Sequence, residues 1–167
     1  MRNVSIISKI KQIFFVTFFA GILFSSCMRS DVYEKNVALP SNKWEESNKP
    51  SFTFDISDTL ANYTMSLTMR HTDAYPYSNI WLNVTTTPPD EKTGSSVKIE
   101  VPLAQPDGKW LGRGMNEIWE HRMPLSRNGE AIHFKKKGVY TIQLEQIMRV
   151  NPLPEVMSVG VRLEKNK

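Results

Sequence analysis

The sequence predicts an all-β protein: an antiparallel β-sandwich, jelly-roll or immunoglobulin-like, tethered to a membrane by lipid. Three observations carry the fold expectation. From Ser51 onward apolar residues recur with a period of two. Turn-forming stretches, "TPPDEKTGSS", "QPDGK", "SRNGE", "KKKG" and "NPLPE", punctuate the runs. No long window of the mature chain carries a helical stripe, and nothing repeats at a fixed period, which argues against a propeller or solenoid. A closed barrel is the competing architecture.

The tether comes first along the chain. Arg2, Lys9 and Lys11 precede an apolar run, Ile13 to Phe24, broken only by Thr17 and Gly21. That run is shorter than the roughly 20 residues a spanning helix needs. Basic residues, a short apolar core and small residues in that order form a secretory signal peptide. Phe24-Ser25-Ser26-Cys27 has the form of a lipobox, with Phe24 bulkier than the residue usual there. Residues 1–26 are therefore read as a lipoprotein signal peptide, and Cys27 as the lipidation site, carrying palmitate or similar chains. The alternatives are an ordinary signal peptide with a leftover thiol, or an uncleaved anchor. Cys27 is the only cysteine, so it has no intrachain disulfide partner and is expected to anchor rather than to react.

Arg2, Lys9 and Lys11 account for all but one unit of the formal charge of +4. The mature chain then lacks the electrostatic footprint of a nucleic-acid binder. Residues 27–50 are polar, without sustained apolar periodicity, and are read as lipid anchor and tether, with Trp44 strapping its end to the domain. Residues 51–167 are expected to form the sandwich.

Within it, Tyr63, Met65, Leu67 and Met69 alternate with polar residues, as do Ile80, Leu82 and Val84. The same holds for Val97, Ile99, Val101 and Leu103; for Tyr140, Ile142, Leu144 and Met148; and for Met157, Val159, Val161 and Leu163. Successive side chains of a strand point to opposite faces, so each run has one buried and one wet face.

Candidate chemistry is sparse. His71, Asp73, Glu120 and His121 would make a zinc or iron site if they converged. Glu120 and His121 are strand neighbours, however, and face opposite ways. HExxH, CxxC, acidic calcium loops, G-x-S-x-G elbows and phosphate loops are all missing. No metal, cofactor or catalytic residue is expected. Arg70, Glu120, Arg122 and Arg149 read as a structural polar network beside a cluster of aromatics: Tyr75, Tyr77, Trp81, Trp110 and Trp119.

Several stretches together carry a family resemblance: Cys27 followed by "VYEKN", then "MRHTDAYPYSNIWL", "VPLAQPDGKWLGRG", "IWEHRMPL", "GVYTIQLEQIMRVNPLPEV" and "SVGVRLEK". In order, over essentially the whole mature chain, they resemble the GldH gliding-motility lipoproteins of Bacteroidota. The resemblance implies a non-enzymatic envelope lipoprotein, needed for gliding and for associated type IX secretion components, with no catalytic residues to carry over. Members also occur in bacteria that do not glide. "MRSD" after Cys27 lacks the acid-rich run that often directs such lipoproteins outward, which favours the outer membrane with the domain facing the periplasm.

The expected function is accordingly a non-catalytic accessory lipoprotein, held to the membrane by Cys27 and contacting other envelope lipoproteins or gliding and secretion components. A glycan-binding module using Trp81, Tyr75 and Tyr77 is the alternative, and an envelope hydrolase the third reading. The segments "HTDAYPYSN", "DGKWLGRGMNEIW" and "RVNPLPE" are expected to meet at one end of the domain and form the partner site. Their composition, rich in aromatics, Pro and Arg and poor in Lys, suits an interface core. Candidate anchors are Tyr75, Tyr77, Trp110 and Arg149; the competing reading is that these residues simply close the core. "DTL" at Asp58 to Leu60 resembles an O-glycan acceptor triplet of exported Bacteroidota proteins, with Thr59 as acceptor.

Overall fold

A computed structural model describes residues 32–126 and 129–166. The signal peptide, Cys27 and "MRSD" lie outside the described residues. Eleven strands follow in order: β1 (Val32–Ala38), β2 (Lys43–Trp44), β3 (Ser51–Ile56), β4 (Tyr63–Thr72), β5 (Asn79–Thr87), β6 (Ser95–Pro102), β7 (Arg113–Met115), β8 (Ile118–Pro124), β9 (Gly138–Gln146), β10 (Leu153–Pro154) and β11 (Val156–Lys165). They pair antiparallel into a five-stranded sheet, β1-β11-β4-β8-β7, and a four-stranded sheet, β3-β9-β5-β6, with a small β10-β2 pair beside them. The architecture is the expected sandwich.

The period of two builds the core. Met65, Leu67, Met69, Val159, Val161 and Leu163 face inward from the five-stranded sheet, against Phe52, Ile80, Leu82, Val84, Ile142 and Leu144 from the other. Four of the alternating positions, Val97, Ile99, Met148 and Met157, are not fully buried. Val97 is on the inward face yet 45% exposed, because β6 is a sheet edge and is open to solvent at its start. Met157 is only half-buried, since a bulge between Val156 and Ser158 shifts the register of β11 there.

The reading of residues 27–50 as tether is corrected from Val32 onward. "VYEKNVA" is strand β1, an edge strand paired with β11 along its length. Thr68 donates a hydrogen bond to Asn36 Oδ1 at 2.5 Å across Gly160. A Cβ at position 160 would overlap Asn36 Oδ1 and the Lys35 carbonyl, so only glycine lets β1 and β4 close over β11. Glu34 accepts from Arg162 at 2.6 Å and lies 3.4 Å from Arg122. Trp44 is fully buried, its backbone paired with Leu153 and its indole donating to the Asn48 carbonyl at 2.8 Å, so the strap expected there is present.

The registers give the domain two distinct ends. β1 begins at the entry end, where the β3–β4, β5–β6 and β8–β9 connections and the end of β11 also lie. The β4–β5, β6–β7, β7–β8 and β9–β10 connections lie at the distal end. The ten-residue β4 separates the two by about 33 Å at the usual rise per residue.

Candidate partner-binding surface

The three aromatic segments meet at the distal end. Asp73, just past β4, accepts hydrogen bonds from Trp110 Nε1 at 3.2 Å and Trp119 Nε1 at 2.9 Å. Its backbone N–H donates to the Glu117 carbonyl at 2.8 Å. Thr72 reaches the third segment, donating its N–H to the Glu155 carbonyl at 3.1 Å and its hydroxyl to Glu155 Oε2 at 2.5 Å. One carboxylate and one threonine thus hold the loops together on a rigid sheet end, a setting in which function concentrates.

Beneath the loops lies a buried histidine pair. His71 on β4 and His121 on β8 are both fully buried, with Nε2 to Nε2 at 2.9 Å and rings stacked at 4.9 Å. His71 Nδ1 is 2.6 Å from the Thr72 carbonyl, which only accepts, so the His71 proton sits on Nδ1. His71 Nε2 is then an acceptor, and His121 donates Nε2–H to it. His121 Nδ1 carries the remaining lone pair and has no hydrogen-bond partner among the described residues. Both rings are thereby held neutral. Burial lowers the pKa of each, that of His121 to about 4, with the repulsion that a second positive charge would meet from His71 as a further cause. Asp73 bonds the two indoles rather than a histidine, and Glu120 points outward to an ion pair with Arg70 at 2.5 Å. No cluster of three His, Cys, Asp or Glu able to hold a metal occurs among the described residues. Arg122 joins Glu34 in the polar network, whereas Arg149 stands apart from it.

The four candidate anchors divide. Tyr75 is corrected: it is 3% exposed, with its hydroxyl donating to the Asn79 carbonyl at 3.0 Å and its ring 4.9 Å from that of His71. It belongs to the core, and burial holds its phenol well above the usual range. Trp110 is half-buried and lies edge-on over His71 at 4.5 Å, so it roofs the histidine pair. Tyr77 is half-buried, packed partly against the core, and Arg149 is exposed. With Trp81 they line a groove of about 530 Å³, whose other walls include Asn79, Lys98 and Met148. Lys98 and Met148 were not singled out by sequence. Lys98 comes from the strand paired with β5, and Met148 is fixed by its sulfur accepting the Trp81 N–H at 3.2 Å.

Exposed apolar side chains occur at this end as well as at the entry end, where Leu60, Val97 and Val139 are exposed. Trp81, Leu111, Met115, Ile118 and Val150 are all exposed at the distal end, Met115 to 77%. The platform proposed for glycans is reduced, because Tyr75 is buried and Tyr77 stands at 77° to it. Thr59 lies in the β3–β4 connection at the entry end, half-exposed beside the exposed Leu60.

Comparison with known proteins gives this architecture relatives. Two curated proteins align over nearly their whole length. The "Gliding motility lipoprotein GldH homolog" of Christiangramia forsetii is 29% identical, covering 91% of this chain and 94% of that protein. The "Gliding motility lipoprotein GldH" of Flavobacterium johnsoniae is 26% identical, covering 87% of this chain and 92% of that one. Among solved structures, the infectious bursal disease virus VP2 subviral particle aligns with 79% of this chain but only 31% of its own, at 14% identity and a TM-score of 0.31, too slight to bear on function. The family model described as "GldH lipoprotein" matches residues 31–163, the whole of the sandwich from β1 into β11, and on that match the chain belongs to the GldH lipoprotein family.

Proposed function

We propose that the protein is a non-catalytic accessory lipoprotein of the cell envelope that supports gliding motility and the associated type IX secretion machinery by holding another envelope protein at its distal end. Lipid on Cys27 anchors it, and the reading places it on the outer membrane facing the periplasm. The names of its relatives support the gliding and lipoprotein parts. The observation that carries the interaction part is the set of exposed apolar side chains, Trp81, Leu111, Met115, Ile118 and Val150, at the same distal end that holds the Tyr77–Trp81–Arg149 groove. Clustered exposed apolar residues mark interaction sites, and Trp, Tyr and Arg are the side chains that most often dominate binding energy.

The distal position suits such a role, because β4 carries the surface about 33 Å from the end where the chain enters. Crosslinked pull-downs from membranes test it. Wild type should recover an envelope protein, and Trp81→Ala, Tyr77→Ala or Arg149→Ala should weaken recovery, by about 2 kcal/mol for a hot-spot residue, without loss of fold. Recovery unchanged in all three variants, or a glycan array giving hits while the pull-down gives none, would defeat the reading.

A further inference from the structure

A second cavity lies between the two sheets at the entry end, far from the distal groove. It measures about 350 Å³, within the range of small-molecule sites. Met65 and Leu125 wall it on the side of the five-stranded sheet, and Val84, Val97 and Ile99 on the other; Phe134 lines it from the β8–β9 connection. Among the described residues, the hydroxyls of Thr86 and Ser126 are its only polar side chains and no charged side chain lines it. The exposure of inward-facing Val97 has the same cause: the sandwich is left open where β6 begins. Apolar walls of this kind favour hydrocarbon over water.

Position and charge narrow the guest. The cavity is at the end where β1 begins. Tyr33 on β1 packs its ring 5.7 Å from Phe54, and Phe54 lies 5.8 Å from Phe134 of the cavity wall. Val32 follows Cys27 by five residues in sequence, a length that spans at most about 18 Å when extended. On the lipid-anchored reading, the cavity therefore belongs to the part of the domain nearest the bilayer. Immediately after Phe134 come Lys135, Lys136 and Lys137, all exposed. Glu91 takes up Lys136 at 2.9 Å, and Lys135 and Lys137 have no ion-pair partner among the described residues. Lysine is a point-charge phosphate binder.

We propose that this cavity accepts one acyl chain of a membrane phospholipid, with the lipid phosphate held against Lys135 and Lys137. The chain enters between β6 and the β8–β9 connection, and the domain thereby rests on the membrane. The claim needs the lipid anchor for its placement but is independent of the distal partner site, so either can fail alone.

The test uses the full acylated protein in vesicles of phosphatidylethanolamine and phosphatidylglycerol whose acyl chains end in a photoreactive diazirine. After illumination, adducts are mapped by mass spectrometry of peptides. The expected adducts fall on the peptides carrying Val97 and Ile99 and on those carrying Leu125 and Phe134. Val97→Glu sits at an already exposed rim position and should keep the fold, judged by circular dichroism. It should cut those adducts roughly tenfold, because a carboxylate in an apolar mouth is costly to desolvate. Val84→Trp, which fills the cavity, should act likewise; if it misfolds, Val97→Glu decides alone. Lys135→Gln with Lys137→Gln should reduce adducts on the same peptides. Adducts that are absent, that fall elsewhere on the domain, or that persist undiminished in Val97→Glu overturn the proposal. Failure of acylation at Cys27 would appear separately, as protein that does not enter the vesicles.

Discussion

Acidification should loosen the domain through the histidine pair, well before its carboxylates respond. His121 titrates near pH 4 in the folded protein, against about 6.5 when unfolded. His71 is shifted in the same direction, chiefly by burial. A lowered histidine pKa means that the unfolded chain binds more protons than the native one between those two values. Stability is therefore fully present above about pH 6.5 and is lost as pH falls toward 4. One pKa unit corresponds to about 1.4 kcal/mol, so the His121 shift is worth about 3 kcal/mol, an order-of-magnitude figure for a coupled pair. For a domain of this size each kcal/mol moves Tm by roughly 3–5 °C, giving a fall of about 10 °C between pH 7 and pH 4. Asp58, Glu145 and Glu164 have pKa values lowered by hydrogen bonds to Lys165, Asn83 and Arg162 respectively. Their contributions are present above the ordinary carboxylate range and disappear only below it, so the interval from pH 6.5 to about 4.5 isolates the histidines. The assay is thermal unfolding followed by circular dichroism across that interval, for wild type and for a variant carrying His71→Phe and His121→Leu. Wild type should lose stability on acidification, and the variant should be flat whatever its absolute Tm. A wild-type Tm that does not change over the interval, or a variant with the same slope, would refute the neutral, desolvated pair.

Other consequences follow from single contacts. Gly160→Ala places a methyl group against Asn36 and the Lys35 carbonyl. It should cost about 1–3 kcal/mol as overpacking and expose β1 to proteolysis ahead of the rest of the domain. Trp110→Ala should destabilise by about 2 kcal/mol, because it unroofs His71 and leaves Asp73 with one indole partner, whereas Trp81→Ala should stay within about 0.5 kcal/mol in stability, as exposed positions do. Cys27→Ala should abolish lipid labelling, and normal acylation of that variant would end the lipoprotein reading. Intact mass of the native protein reads the same anchor, and a mass equal to peptide plus lipid would rule out a glycan at Thr59.

Much of the fold was legible because most strands have one dry face, and a two-residue period survives in "YTMSL", "IWLNV" and "TIQLE". β1 was not legible as a strand. Its centre, Glu34-Lys35-Asn36, is exposed and charged, which suits an edge strand that must resist pairing with other chains but reads locally as linker. The meeting of the three aromatic segments could be anticipated from their shared composition. Which aromatics point outward could not, because Tyr75 turns inward only to meet a histidine from the neighbouring strand. The histidine pair itself depends on cross-strand register, Met69 opposite His121 and His71 opposite Trp119, which places the two rings diagonally on one face. Register likewise hid Lys98, a groove wall supplied by the strand beside Trp81.

The central claim is that the distal groove, and not the entry end, meets the protein's partner. It is tested most directly by photocrosslinking in cells, with a photoreactive amino acid placed singly at Trp81, at Tyr77, and at the entry-end positions Leu60 and Val139, all in the acylated protein. The account predicts one envelope protein captured from positions 81 and 77 and absent from positions 60 and 139. Capture of that protein only from the entry-end positions, or equal capture from all four, would contradict it.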